Sequence, residues 1–164
     1  MLDAKFFLDV GPEVVRKYRE HITKDAKDVY GKKFKPYRSK TYEQRKRANK
    51  FKRQQGEYAD STAPVLTGDL MFVDFGLMRT PNRKGFQMGW AVQGAKVESL
   101  KKQGRVLTAP DQPLPKDEIK FLDREAHKYI KKGLGKSNNK TQDWKKIKYC
   151  MLPKLNYIII KNFQ

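Results

Sequence analysis

The chain has 164 residues, enough for one domain with appended segments, since a domain usually takes roughly 100 to 200 residues. Lys and Arg number 37 against 18 Asp and Glu, giving a formal net charge of +19, and 34% of residues are charged. This length excludes two independent catalytic domains, and the charge favours a polyanionic partner, above all nucleic acid.

The excess positive charge is concentrated in two segments. Residues 32–53 contain 11 basic residues and one acid, Glu43, and residues 136–164 contain seven lysines and one acid, Asp143. Their net charges are +10 and +6, so the rest of the chain carries only +3. The sequence therefore predicts a nearly neutral body that carries two cationic segments.

Membrane and redox signals are weak in this chain. A bilayer-spanning helix takes about 20 consecutive apolar residues, and runs such as residues 157–160 are far shorter. Residues 2–10 are too short and too acidic a stretch for a secretory signal, so we expect a cytoplasmic protein. Cys150 is the only cysteine, which excludes an internal disulfide.

Residues 12–30 are predicted to form an amphipathic helix. Pro12 and Glu13 suit the first turn, and Gly31 marks the end. Apolar residues recur at steps of three and four along one face, at Val15, Tyr18, Ile22, Ala26 and Val29.

Residues 32–56 form a basic insert. Pro36 excludes a helix through its first part, so we expect an extended arm followed by a basic helix from Tyr42 to about Gln55, capped by Thr41. The candidate DNA-facing or docking residues are Arg38, Lys40, Arg45, Lys46, Arg47, Lys50, Lys52 and Arg53.

The basic insert also carries aromatic residues, Tyr37, Tyr42 and Phe51. A mixture of bases and aromatics is typical of proteins that bind RNA or single strands by stacking. Two alternatives remain open from the sequence: a solvated basic face without a partner, and aromatics that anchor the arm to the core.

Residues 70–92 are predicted to form a β-hairpin. Residues 67–69 mark a turn before a strand over residues 70–78, and residues 81–85 have turn chemistry. The alternation that follows predicts a buried strand face made of Phe86, Met88, Trp90 and Val92. We expect a polar loop over residues 94–104 and a short third strand over residues 106–108.

A second amphipathic helix is predicted over residues 116–132, after a connector punctuated by Pro110, Pro113 and Pro115. Asp117 and Glu118 suit the first turn, and the stop signal ends at Gly133. The buried face is predicted to contain Ile119, Leu122, Ala126, Tyr129 and Ile130.

Residues 135–164 predict a C-terminal arm, in which a polar joint leads to β-prone, apolar residues. Such a tail either adds a strand to its own sheet or reaches a neighbouring subunit. The candidate residues of this inter-subunit arm are Trp144, Ile147, Tyr157, Ile158, Ile159 and Ile160.

Catalytic chemistry has little support in the sequence. His21 and His127 are interpreted as partly exposed helix residues, because no ligand lies at metal-binding spacing. No phosphate-binding loop or nucleophile elbow is present. A metal nuclease would have to use Asp69, Asp74, Asp111 and Glu118, but the dipole at a helix start explains Glu118 better. We therefore expect no enzymatic activity, metal or cofactor.

The order of the predicted elements resembles the virion-morphogenesis family of tailed phages, which contains the Mu G protein and head-tail joining proteins. The motif Leu66, Thr67, Gly68, Asp69 and Leu70 matches the start of that family's sheet, and residues 113–115 match the segment before its last helix. The resemblance covers about residues 12–134; the basic insert and the C-terminal arm depart from the family pattern.

The resemblance implies a small α+β fold: an antiparallel sheet built around a hairpin and packed by two amphipathic helices. It implies a single ring-forming domain over residues 1–134, to which this sequence adds the C-terminal arm over residues 135–164. The implied function is a structural component of the head-tail junction, a neck or tail-terminator ring of six or twelve copies. Its implied partners are portal, adaptor or tail-tube proteins, with genomic DNA passing through, and its place is the virion. The alternative is a basic RNA- or DNA-binding protein.

Overall fold

The computed structural model describes residues 2–37, 39–47, 69–82, 85–134 and 159–162. These residues mix helices with a small sheet, which confirms the predicted α+β class. In chain order the elements are α1 (Ala4–Thr23), α2 (Lys40–Arg47), a π-helical turn (Asp69–Val73), β1 (Phe75–Leu77), β2 (Gln87–Trp90), α3 (Gly94–Lys102), α4 (Lys116–Leu134) and β3 (Ile159–Asn162).

Helix α1 begins well before its predicted start. Asp3 is its N-cap, and the Phe6 N–H donates to the Asp3 carboxylate at 3.0 Å. Pro12 therefore lies inside the helix, where it removes one backbone hydrogen bond. The burial of Phe6 and Val10, with the Phe6 ring centroid 5.3 Å from that of Tyr129, offsets that loss and extends the helix toward the N-terminus.

The end of α1 also differs from the prediction. The helix ends at Thr23, and Ala26 adopts a positive φ of 53°, which breaks the helical path. Ala26 and Val29 are nevertheless fully buried, as the apolar spacing predicted, because the loop after the helix folds back onto the core. The Val29 N–H donates to the Val106 carbonyl at 3.0 Å and fixes this loop.

Helix α4 packs against α1 and agrees closely with its predicted bounds, ending at Leu134. Leu122, Ala126 and Ile130 are buried on the predicted face, whereas Ile119 is exposed. The Tyr129 hydroxyl donates to the Asp3 carboxylate, with both oxygens at 2.9 Å, so the ends of the two helices are joined.

The hairpin is shorter than predicted. A π-helical turn over Asp69–Val73 replaces the first half of the expected strand, and the Asp74 N–H donates to the Asp69 carbonyl at 2.8 Å. Strands β1 and β2 pair antiparallel from Phe75 opposite Trp90 to Leu77 opposite Met88. Val92 is 84% exposed and not on the buried face, because β2 ends at Trp90 and the chain turns into α3.

Two further predictions between the hairpin and α4 are wrong. Residues 94–102 form helix α3 where a polar loop was expected, because Val97 is buried and anchors one face against the core. Residues 106–108 form no strand, although Leu107 is fully buried. The Leu107 side chain is part of the core, and its carbonyl accepts a hydrogen bond from the Tyr18 hydroxyl and not from a neighbouring strand.

The core lies between α1, α4 and the hairpin and is built on three aromatic rings. The Phe75 ring lies 4.8 Å from that of Tyr18 and 4.7 Å from that of Trp90, centroid to centroid, and all three side chains are fully buried. Such tilted contacts stabilise a core beyond the burial of the rings alone. This cluster fixes the hairpin on the inner face of α1.

Strand β3 completes the sheet, in the order β1-β2-β3. It runs parallel to β2, with Ile159 opposite Gln87 and Asn162 opposite Trp90. The arm residues 159–162 thus lie on the chain's own sheet, one of the two outcomes expected from the sequence. Within the described residues, no helix is long and apolar enough to cross a membrane.

Candidate interaction surfaces

The basic insert is described in part. Lys40 is exposed at the first residue of α2, and the backbone of Arg45, Lys46 and Arg47 forms the second half of that helix. The cap is Ser39 and not the predicted Thr41, since Ser39 Oγ accepts from the Tyr42 N–H at 3.2 Å. The remaining candidates, Arg38, Lys50, Lys52 and Arg53, lie outside the described residues, as does Phe51.

Tyr37 joins the described part of the basic insert to the body of the protein. The guanidinium of Arg105, a buried residue, lies over the Tyr37 ring with its Cζ 4.0 Å from the ring centroid. Arg105 also donates to the Lys35 carbonyl at 2.7 Å. One side chain therefore holds both the backbone of the basic insert and its Tyr37 ring. Tyr42 packs edge-on against Tyr37, with 4.8 Å between centroids.

Burial governs the chemistry of these two tyrosines. It raises the pKa of Tyr37 to about 12, against an opposing electrostatic contribution from Arg105, and it raises the pKa of Tyr42 as well. Both rings thus have a structural partner within the fold. Of the open interpretations of these aromatics, the structure favours anchoring the arm to the core.

The motif over residues 66–70 is described at its last two positions. Asp69 and Leu70 begin the π-helical turn, and Leu70 is buried. Leu66, Thr67 and Gly68 lie outside the described residues. The described part of the motif therefore lies in the π-helical turn before β1, and not in the strand that was predicted to begin at residue 70.

Asp74 ties the start of β1 to the start of α3. Its two carboxylate oxygens accept from the Val92 N–H at 2.9 Å and the Gln93 N–H at 2.8 Å. These amides precede the first turn of α3, and the N-terminal end of a helix carries a partial positive charge. Asp74, one of the four acids of the nuclease interpretation, thus has a structural role here.

The outer edge of β1 is covered by α1. The Met78 N–H donates to the Gln87 carbonyl at 2.8 Å, so by the alternation of an antiparallel pair the backbone of Phe75 and Leu77 faces away from β2. The Phe75 carbonyl on that side accepts from the Arg19 guanidinium, which is half-buried. A further strand cannot pair with β1 at Phe75 without displacing Arg19.

The opposite edge of the hairpin is the one that β3 occupies. All four residues of β2 have a partner residue in β3, and β3 also lies close to α3. Of the predicted arm residues, Ile159 and Ile160 are placed here, whereas Trp144, Ile147, Tyr157 and Ile158 lie outside the described residues. The sheet is therefore completed by a segment separated from β2 by residues 91–158.

A buried His–Glu pair links α1 to α4, and the sequence interpretation missed it. His21 is 8% exposed and Glu118 is 5% exposed, with His21 Nδ1 3.9 Å from Glu118 Oε1. His21 Nε2 lies 2.9 Å from the Asp28 carbonyl, and because that oxygen only accepts, Nε2 carries the hydrogen. The prediction that His21 is a partly exposed helix residue is wrong, whereas His127 is indeed exposed.

Burial also controls the ionisation of Glu118. It raises the pKa of this carboxyl, against opposing electrostatic contributions from His21 and Lys17. Oε2 of Glu118 is buried without a hydrogen-bond partner. His21 and Glu118 are far apart along the chain and leave no local sequence signal, so only the packing of the two helices reveals the pair.

An open cleft of about 620 Å³ lies beside this pair, between α1 and α4. Acids and bases both line it, and Lys17 and Arg124 lie over the ring of Phe121, 4.9 and 5.5 Å from its centroid. Glu20 pairs with Lys24 at 3.2 Å and Asp117 with Lys120 at 3.5 Å. The lining charges largely compensate one another within each helix.

The other acids of the nuclease interpretation do not gather around a cation site. Asp111 accepts from the Tyr30 hydroxyl at 3.0 Å, and Glu118 is buried beside His21. Among the residues that the structure describes, no group of three or more His, Cys, Asp or Glu side chains is placed to hold a metal ion.

Comparisons of the chain with protein-family models, curated proteins and solved structures find no match. The resemblance to the phage family stays a prediction that rests on the residues quoted for it.

Proposed function

We propose that this protein is a structural, non-enzymatic subunit of a tailed-phage head-tail junction, in a neck or tail-terminator ring of six or twelve copies. The ring would join portal, adaptor or tail-tube proteins in the virion and let genomic DNA pass. The proposal combines the resemblance with two properties of the molecule: a nearly neutral body, and cations concentrated in appended segments.

The observation that carries the proposal is the packing of Tyr37 against Arg105, 4.0 Å from the guanidinium carbon to the ring centroid. Tyr37 and Tyr42 also pack on each other, so these rings have protein partners and do not form a free stacking platform. The charge of α2 then acts on a polyanion through phosphates, without reading bases. Such contacts suit a conduit, in which DNA must slide.

The alternative, a basic RNA- or DNA-binding protein, relies on the same aromatics for stacking. Base stacking on a side chain contributes about 1–3 kcal/mol per base, and an engaged ring must first leave its partner. The described tyrosines therefore favour weak, charge-based contact over dedicated binding of single strands.

Native mass measurement together with end-on electron microscopy tests the ring. We expect closed particles of six or twelve copies that form from the purified full-length chain. A chain that stays monomeric at every concentration accessible to these methods would contradict the proposal.

A salt titration with double-stranded DNA tests the conduit. We expect weak binding that is insensitive to sequence and falls with rising salt, with a slope of about −0.9 per phosphate contact. Changing Lys40, Arg45 and Arg47 to Gln should weaken binding. The matched control changes Lys102, Lys131 and Lys132 to Gln. These lysines are exposed on α3 and α4, and their substitution removes the same amount of charge.

Equal weakening in the two triple variants would show that α2 is not the DNA-facing segment. Tight binding to a defined sequence or to single strands, lost on changing Tyr37 or Tyr42 to Ala, would favour the RNA- or DNA-binding alternative.

A further inference from the structure

The joint between copies can be inferred from the edges of the sheet. A parallel strand pair needs a crossover connection, and between β2 and β3 that connection is residues 91–158. Its last part, residues 135–158, separates the end of α4 from the start of β3. A chain of that length spans at most about 80 Å, several times the radius of gyration of about 15 Å expected for a domain of this size.

The connection is therefore long enough for β3 to pair either with β2 of its own chain or with β2 of a second copy. An exchange of identical strands keeps every strand contact, so it costs little when copies are held close together. A short connection would forbid exchange, whereas one of this length permits both arrangements.

The two edges of the hairpin are not equivalent. On β1 the Phe75 carbonyl is bonded to Arg19 of α1, whereas the edge of β2 is filled by a strand from the far end of the chain. A sheet joint between copies must therefore use the β2 edge, the β3 strand, or both.

We propose that in the assembled protein β3 of one copy occupies the β2 edge of a neighbouring copy, in the parallel register that the single chain shows. Ile159 of the donor then lies opposite Gln87 of the acceptor, and Asn162 opposite Trp90. This inference rests on the proposed ring, and it assigns the joint to a particular strand and edge.

The test is a cross-link between isotopically distinct copies. Full-length chain carrying Cys150→Ser, Gln87→Cys and Ile159→Cys is prepared with natural nitrogen and with ¹⁵N. The two preparations are mixed in denaturant, refolded together and oxidised, and the cross-linked peptide pairs are analysed by mass spectrometry. Exchange between copies predicts that about half of the pairs carry one label of each kind.

A matched control moves the second cysteine out of register: Gln87→Cys is combined with Asn162→Cys in the same background. These positions are three residues apart in register, so the control should cross-link at least several-fold less. A control as reactive as the test pair, or no cross-link at all, would overturn the register.

The oligomeric mass of the same sample separates this inference from the proposed function. Rings whose cross-links never mix labels would overturn strand exchange and leave the ring function standing. Mixed labels in rings support both. Mixed labels in closed dimers alone would support exchange and contradict the ring, and a monomer whose cross-links stay within one label would contradict both.

Discussion

The buried Glu118 carboxyl makes the stability of this fold depend on pH. It faces His21 on α1, and Lys17 and Asp117 also act on it electrostatically. An acid whose pKa is raised by folding binds its proton more readily in the folded state. Its stabilising contribution is therefore complete below the ordinary glutamate value of 4.5 and is lost as pH rises through the raised pKa.

Glu118→Gln should remove this loss, because the amide keeps the shape of the side chain and does not ionise. We expect the free energy of unfolding of the wild type to fall relative to that of the variant as pH rises above 4.5. Urea unfolding at a series of pH values measures the difference. The control is Asp111→Asn, which changes an exposed carboxylate that contacts the Tyr30 hydroxyl and does not border Glu118, so its pH slope should follow the wild type. Parallel curves for Glu118→Gln and wild type would refute the assignment.

The Tyr18 hydroxyl is a second group on which stability depends. It is fully buried and donates to the Leu107 carbonyl, and burial raises its pKa. Tyr18→Phe leaves that carbonyl without its donor and should lower the free energy of unfolding by about 1–3 kcal/mol. Tyr30→Phe is the control: its hydroxyl contacts Asp111 at an exposed position, so the change should stay within about 0.5 kcal/mol.

At the scale of elements, Asp74 decides how the hairpin is joined to α3. Asp74→Ala removes two charge-assisted bonds to the Val92 and Gln93 amides and should destabilise the protein by about 1–2 kcal/mol. Asp74→Asn retains one acceptor oxygen, so its effect should be smaller. Urea midpoints together with hydrogen exchange at the two amides give the measurement, and equal loss in both variants would mean that the carboxylate does not act as this cap.

Elements with strong periodic burial were predictable from the sequence, and those set by tertiary contacts were not. The apolar spacing around Tyr18 and Ile22 identified the face of α1, and the alternation at Met88 and Trp90 identified the buried face of β2. Helix α3 was missed because it buries little beyond Val97 in a polar stretch. Its start depends on Asp74, which lies immediately before β1, almost twenty residues earlier in the sequence.

The same distinction applies to the candidate interaction surfaces: their charge is visible in the sequence, whereas their contacts are not. The positive charge of the basic insert is visible in composition, but the partner of Tyr37 is Arg105, which lies beyond the hairpin and α3 in the sequence. The His21–Glu118 pair is likewise hidden, because each residue alone has an ordinary role in a helix. No periodic signal links positions that meet only after α1 and α4 have packed.

At the scale of the whole molecule, the C-terminal arm should matter more for assembly than for the folding of the body. A chain that ends at Leu134 lacks β3 but keeps α1, the hairpin, α3 and α4, with the aromatic core intact. We expect circular dichroism and a cooperative thermal transition close to those of the full chain, and no rings by native mass. Normal rings from the truncated chain would exclude a role for the arm in assembly.

The contact of Tyr37 with Arg105 attaches the basic insert to the body of the protein. It separates the surface charge of the insert from the stability of the core, two properties that most proteins must adjust together. Among side chains that the structure describes in α2, none is fully buried, so substitutions on that helix change the electrostatic potential with little effect on the core. If the proposed function holds, the strength of the contact with passing DNA can therefore change through α2 while the fold stays as it is. Related chains should then vary freely in the number of cations on this helix and rarely at the aromatic–guanidinium contact that holds it.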